Sequence, residues 1–73
     1  MALVLDGEKK GSELRPGDWI FVPPVSMWLP IEVAIPHLRG DTLVYFAVHE
    51  SRRVDTMLVH RGVLLQVAHE IPD

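Results

Sequence analysis

Along this chain the hydrophobic positions fall in short runs, each cut off by proline, glycine or a cluster of charge. That is the rhythm of strands joined by turns rather than of helices. Ala2, Leu3, Val4 and Leu5 open it as a short first strand or an apolar arm, and residues 6–12, polar and carrying Gly7 and Gly11, read as a turn or mobile loop. The clearest junction is at residues 13–22, Glu-Leu-Arg-Pro-Gly-Asp-Trp-Ile-Phe-Val. Pro16 presets φ for the second position of a turn, Gly17 supplies the positive φ a type II turn needs next, and Asp18 bonds back to local backbone. Residues 19–22 follow as a strand that Pro23-Pro24 ends, because proline cannot donate to a ladder.

Beyond it, residues 25–30 read as a loop between Pro24 and Pro30 that carries three large hydrophobes, Met27, Trp28 and Leu29. Residues 31–35 alternate as a strand with Ile31, Val33 and Ile35 on one face and Glu32 and Ala34 on the other. Pro36 stops it, and residues 38–41 supply a hairpin turn. Residues 42–49 are rich in β-branched and aromatic types, with Val44, Phe46 and Val48 assigned inward and Leu43, Tyr45 and Ala47 to a partly covered outer face. Residues 50–53 turn the chain, residues 54–59 return antiparallel, residues 60–62 break the run, and residues 63–68 form a last strand before a polar tail. A helical period through Val54, Met57, Leu58, Leu64 and Leu65 competes with this, against Gly62 and the β-branched content. The pattern predicts one all-β domain over residues 1–73, a small barrel or compact sandwich in which residues 1–11 are a short strand or mobile arm.

Composition narrows the function. With 73 residues and no cysteine, there is no disulfide, no thiolate chemistry and no zinc site built on Cys ligands. Hydrophobic residues are 48% of the chain, more than so small a core hides, which predicts a protein partner or a homo-oligomer. Residues 1–5 are followed at once by Asp6, too short a run for a signal peptide, and no apolar run approaches the ~20 residues of a membrane span. A soluble, cytoplasmic protein with no membrane contact is expected. Seven Lys plus Arg against ten Asp plus Glu leave a net charge of −3, and only Lys9-Lys10 and Arg52-Arg53 pair cations, which argues against nucleic acid as the partner.

Residues 14–20 (Leu-Arg-Pro-Gly-Asp-Trp-Ile), Gly40-Asp41-Thr42-Leu43-Val44, Val54-Asp55-Thr56 and Val63-Leu64-Leu65-Gln66-Val67 together resemble the small SH3-like barrels of short actinobacterial and actinophage proteins. The resemblance runs from residue 12 onward. It implies a barrel of about five antiparallel strands, with a 3₁₀ turn at residues 60–62 between the last two. It also implies a phage or bacterial accessory protein, without specifying a reaction. The Leu-x-Pro-Gly-Asp opening is shared with KOW-type modules, whose glycine-rich continuation is here replaced by Pro23-Pro24.

Candidate chemistry is sparse. His37, His49, His60 and His69 are 12, 11 and 9 residues apart, with no His-x-His or HExxH pair to put two ligands on one face. They read as polar strand ends, and neither a metal nor any other cofactor is expected. Ser12, Ser26 and Ser51 lie in no nucleophile elbow, and no feature selects a carboxylate pair around Asp18 or Glu32, so no enzyme is predicted. Met27, Trp28 and Leu29 have the composition of an interface anchor stiffened by prolines, which makes this loop the candidate partner-binding site. The competing reading makes it a lid over one end of the barrel. The alternative function, nucleic-acid binding, would place Lys9, Lys10, Arg15, Arg52 and Arg53 on phosphates, with Trp19 or Tyr45 stacked on bases.

Overall fold

The turn at Pro16-Gly17 forms as its residues dictate. Gly17 takes φ +97°, the Asp18 amide donates to the Arg15 carbonyl at 3.1 Å, and the Asp18 carboxylate accepts from the Arg15 amide at 3.0 Å. In the computed structural model, which describes residues 2–47 and 56–72, this turn launches strand β2 (Asp18–Val22). Pro23 ends β2 in a single 3₁₀ turn, Pro23–Val25. Ser26, at φ 51° and ψ 44°, then reverses the chain.

Residues 27–30 are a strand and not a loop. They open β3 (Met27–Pro36), which runs ten residues, pairing through Met27, Trp28, Leu29 and Pro30 with β2 and from Ile31 onward with the next strand, β4 (Thr42–Phe46). Pro30 sits where β3 passes from one neighbour to the other. Its missing N–H is not needed there, and its carbonyl accepts the Ala47 amide at 3.0 Å. The lid reading of residues 27–29 therefore fails, because they form part of the sheet.

A second departure lies just beyond Pro30. The β3–β4 register slips between Ile31 and Val33, a bulge that gives β3 one extra residue and inverts the alternation beyond it. Ile31 stays buried at 3% exposure, whereas Val33 and Ile35, expected on the same face, stand outward at 40% and 42%. Ala34 packs on the core in their place.

A turn at Leu38–Gly40, with Arg39 at φ 63° and Gly40 at φ 81°, leads into β4, whose Val44 and Phe46 are buried as the pattern predicts. β5 (Thr56–Val59) returns along β4, and β6 (Leu64–Ile71) closes the order. The competing helix over residues 54–69 is replaced by these two strands. Between them the Val63 amide donates to the His60 carbonyl at 2.9 Å, a single hydrogen-bonded turn where the resemblance placed a 3₁₀ turn. Val48, the turn at residues 50–53, and Val54 and Asp55 lie outside the described residues.

Both ends of the chain extend further than expected. The tail at His69, Glu70 and Ile71 is part of β6, and residues 6–10, read as a loop, continue strand β1 (Ala2–Lys10) along it. A bulge at Asp6, with Gly7 at φ +91°, absorbs the interruption in the pattern. The charges at Glu8, Lys9 and Lys10 that suggested a loop suit an edge strand, where they discourage further pairing.

Among the described residues the result is all-β: six antiparallel strands, against about five expected, in an open sheet of order β1-β6-β2-β3-β4-β5. Among the described residues the two edges share no ladder. The sheet nevertheless curls, because Gly11, just past β1, is buried against Val59 of β5: a methyl there would lie 2.9 Å from Val59 Cγ1. Inside the curl one contiguous core gathers Leu14 with Ile20 and Val22 of β2, Ile31 of β3, Val44 and Phe46 of β4, Val59 of β5 and Val67 of β6. No helix among the described residues is long and apolar enough to cross a membrane.

Candidate interaction surface

The face of the sheet turned away from this core carries an unusual second set of hydrophobes. Because the bulge turns Val33 and Ile35 outward, they join two cross-strand rows: Val33 opposite Tyr45 opposite Thr56, and Ile35 opposite Leu43 opposite Leu58. Val33, Ile35, Tyr45 and Leu58 are each 40–42% exposed. By ordinary residue areas they present on the order of 300 Å² to water, the lower end of the range for the largest apolar patch on a small monomer, a patch that is often functional. Neither row contains a charge. The outer face of an antiparallel sheet is normally the polar one, so this face departs from the rule over three adjacent strands.

The three residues singled out by the proline-bracketed pattern do not share a surface. Leu29, in register with the fully buried Ile20, packs on the core. Trp28 faces the other way, half-buried, with its ring edge-on to Phe21 at 5.6 Å between centroids and 61° between planes. Such a pair contributes about 0.5–1.5 kcal/mol beyond simple burial, so much of the anchor-like character of Trp28 is used within the sheet. Met27 is 49% exposed at the hairpin end.

The basic residues are likewise dispersed. Lys9 Nζ lies 3.3 Å from Asp18 Oδ2, on the carboxylate that also caps the Pro16-Gly17 turn. Lys10 and Arg15 are exposed, and Arg52 and Arg53 lie outside the described residues. Of the two candidate stacking rings, Trp19 is half-buried opposite Pro30 and Ala68, and Tyr45 belongs to the uncharged rows.

Two histidines are engaged by aspartates. His69 Nδ1 lies 2.8 Å from Asp6 Oδ1, tying the β1 bulge to β6. Asp41 accepts the Arg61 amide at 3.0 Å and faces His60 Nδ1 at 3.2 Å. The Arg61 hydrogen bond, assisted by His60 and opposed by partial burial, holds the Asp41 carboxyl below the usual carboxylate range. His37 is exposed, and His49 lies outside the described residues. Among the described residues no three metal-ligating side chains gather. A shallow depression of about 220 Å³ lies over Gly7, bounded by Leu5, Glu8, Gln66 and Val67. It is smaller than most small-molecule sites, and Glu8 is the one titratable group on its rim.

Comparison with protein-family models, with curated proteins and with solved structures finds no match to this chain. The functional reading therefore rests on the geometry of the sheet.

The apolar rows were only partly visible in the sequence. Leu43 and Tyr45 can be assigned outward by parity, but Val33 and Ile35 join them only through the bulge at Glu32, which the alternation of residues 31–35 conceals.

Proposed function

We propose that this protein is a small non-catalytic interaction module, an SH3-like barrel with an added edge strand, that binds a protein through the outer face of β3, β4 and β5. The fold reading is supported by the succession β6-β2-β3-β4-β5, in which a meander of four strands, β2 to β5, is followed by a last strand, β6, that pairs with β2. Burial of Gly11 against Val59 draws the free edge inward, as a barrel requires. The observation that carries the functional reading is the pair of uncharged cross-strand rows through Val33, Tyr45 and Leu58, left two-fifths exposed in a chain with no covalent staple. Keeping them in water forfeits the transfer free energy that burial provides, about 25 cal/mol per Å².

Replacing Tyr45 with the photo-crosslinking residue p-benzoylphenylalanine tests this inside the cell. Illumination should give a covalent adduct heavier than the 8.3 kDa chain. The adduct should disappear when Leu58→Glu is added, and the same residue at the exposed Ser12 should give none. Absence of an adduct from position 45, or equal adducts from both positions, overturns the proposal.

A further inference from the structure

The same face indicates which protein it meets. We infer that its partner is a second copy of this chain, packed sheet against sheet about a two-fold axis that crosses β4. This inference rests on the interaction reading above and goes further by naming the occupant.

Three observations carry it. The patch is centred on β4, with β3 and β5 on either side. A two-fold axis in the plane of contact and perpendicular to the strands sets each row of one copy over the other row of its mate. Tyr45 then meets Leu43, Ile35 meets Val33, and Leu58 meets Thr56. Each match places a larger side chain on a smaller one, and none opposes charges, which is the self-complementarity an isologous contact needs. Two sheets packed face to face leave about 10 Å between backbones, room for one layer of side chains from each.

The second observation is area. The patch supplies the apolar centre of an interface whose polar rim would extend it to the ~800 Å² per partner of a stable dimer. The whole surface is 5102 Å², so such a contact would cover about a sixth of it.

Charge and covalent chemistry are the third. Each copy carries −3, so two copies repel at long range, and the uncharged rows add no like-charge contact to that repulsion. With no cysteine and, among the described residues, eight buried side chains in one core cluster, the fold gains from cover that is present wherever the chain is made. The chain itself meets that condition. Contact between like-charged molecules through an apolar face also predicts an unusual salt response, since screening removes the repulsion and leaves the attraction.

Sedimentation equilibrium of the purified 73-residue chain, from about 1 to 200 µM, tests this. The expected mass is twice 8.3 kDa, with association tightening between about 0.02 and 0.5 M salt. Leu58→Glu and Ile35→Lys, both at exposed positions, should weaken association by about 100-fold or more, since each symmetric contact would bury two unpaired charges. Leu5→Ser, at a position 70% exposed on the far edge strand, should leave it unchanged. Photo-crosslinking of the purified protein through position 45 should yield a covalent dimer, a readout that requires no destabilising variant. A monomer throughout the range, weakening with added salt, or loss of the dimer in Leu5→Ser alone overturns the inference. A monomer that still forms cellular adducts with another protein refutes self-pairing and preserves the interaction reading. A monomer with no adduct refutes both.

Discussion

Gly11→Ala probes the contact that curls the open sheet. A Cβ at this position would stand 2.9 Å from Val59 Cγ1, 3.3 Å from Val59 Cβ and 3.2 Å from the Val59 carbonyl oxygen. Val59 is 3% exposed, its branched side chain has little rotamer freedom, and the carbonyl is backbone, so the 3₁₀ turn after β1 and strand β5 must separate by some tenths of an ångström. Overpacking of this kind costs about 1–3 kcal/mol. Gly11 does not use a positive φ, so alanine regains roughly 0.4–1 kcal/mol by restricting the unfolded chain. The net expectation is a loss of about 1–2 kcal/mol, or a fall of roughly 4–16 °C in Tm for a domain of this size. Urea unfolding followed by circular dichroism, at one protein concentration because self-association couples to stability, reads it directly. Val59→Ala removes both γ carbons at its own cost of about 1–3 kcal/mol. In that background Gly11→Ala should cost about 1 kcal/mol less, with a remainder left by the carbonyl contact. A neutral Gly11→Ala, or an equal cost in both backgrounds, refutes the packing of β5 against the end of β1.

Two further outcomes rest on local geometry. Gly17 holds φ +97° with nothing within 4 Å, whereas Gly62 has open space and no positive φ; Gly17→Ala should therefore lower stability by about 1–2 kcal/mol, while Gly62→Ala should be neutral or slightly stabilising, and equal melting temperatures for the two would refute the turn assignment. Asp41, its pKa lowered chiefly by the Arg61 amide, should contribute stability that is present above the unfolded carboxylate value and lost as pH falls through the lowered one. Asp41→Asn should therefore be less stable than wild type near neutrality and converge with it in acid; urea midpoints at several pH values check this, and a difference independent of pH would count against it.

Much of the strand framework was legible residue by residue, because local rules sufficed. Pro16, Gly17 and Asp18 formed the turn their side chains specify, Pro23 ended β2, and the alternation of Val44 and Phe46 pointed them into the core. Strands at the ends of the chain were harder to see. Residues 6–10 are polar with a glycine, and only their pairing with residues 64–67 makes them a strand. Pro30 misled for a related reason: its effect depends on whether a neighbour needs the N–H it lacks, which is a property of the sheet.

Met27, Trp28 and Leu29 were legible as an unusual apolar run, but their roles were not. Adjacent residues in a strand face opposite sides, so once β3 paired with β2 the run divided between the core at Leu29 and the Phe21 ring at Trp28. The sequence by itself determined an all-β domain, its main turns, and a surplus of hydrophobic residues over what a small core holds, because backbone preference and composition are local properties. Only the tertiary structure decided where that surplus goes. A single bulge at Glu32 turned Val33 and Ile35 outward beside Tyr45 and Leu58, because in a strand one inserted residue reverses the facing of every residue after it.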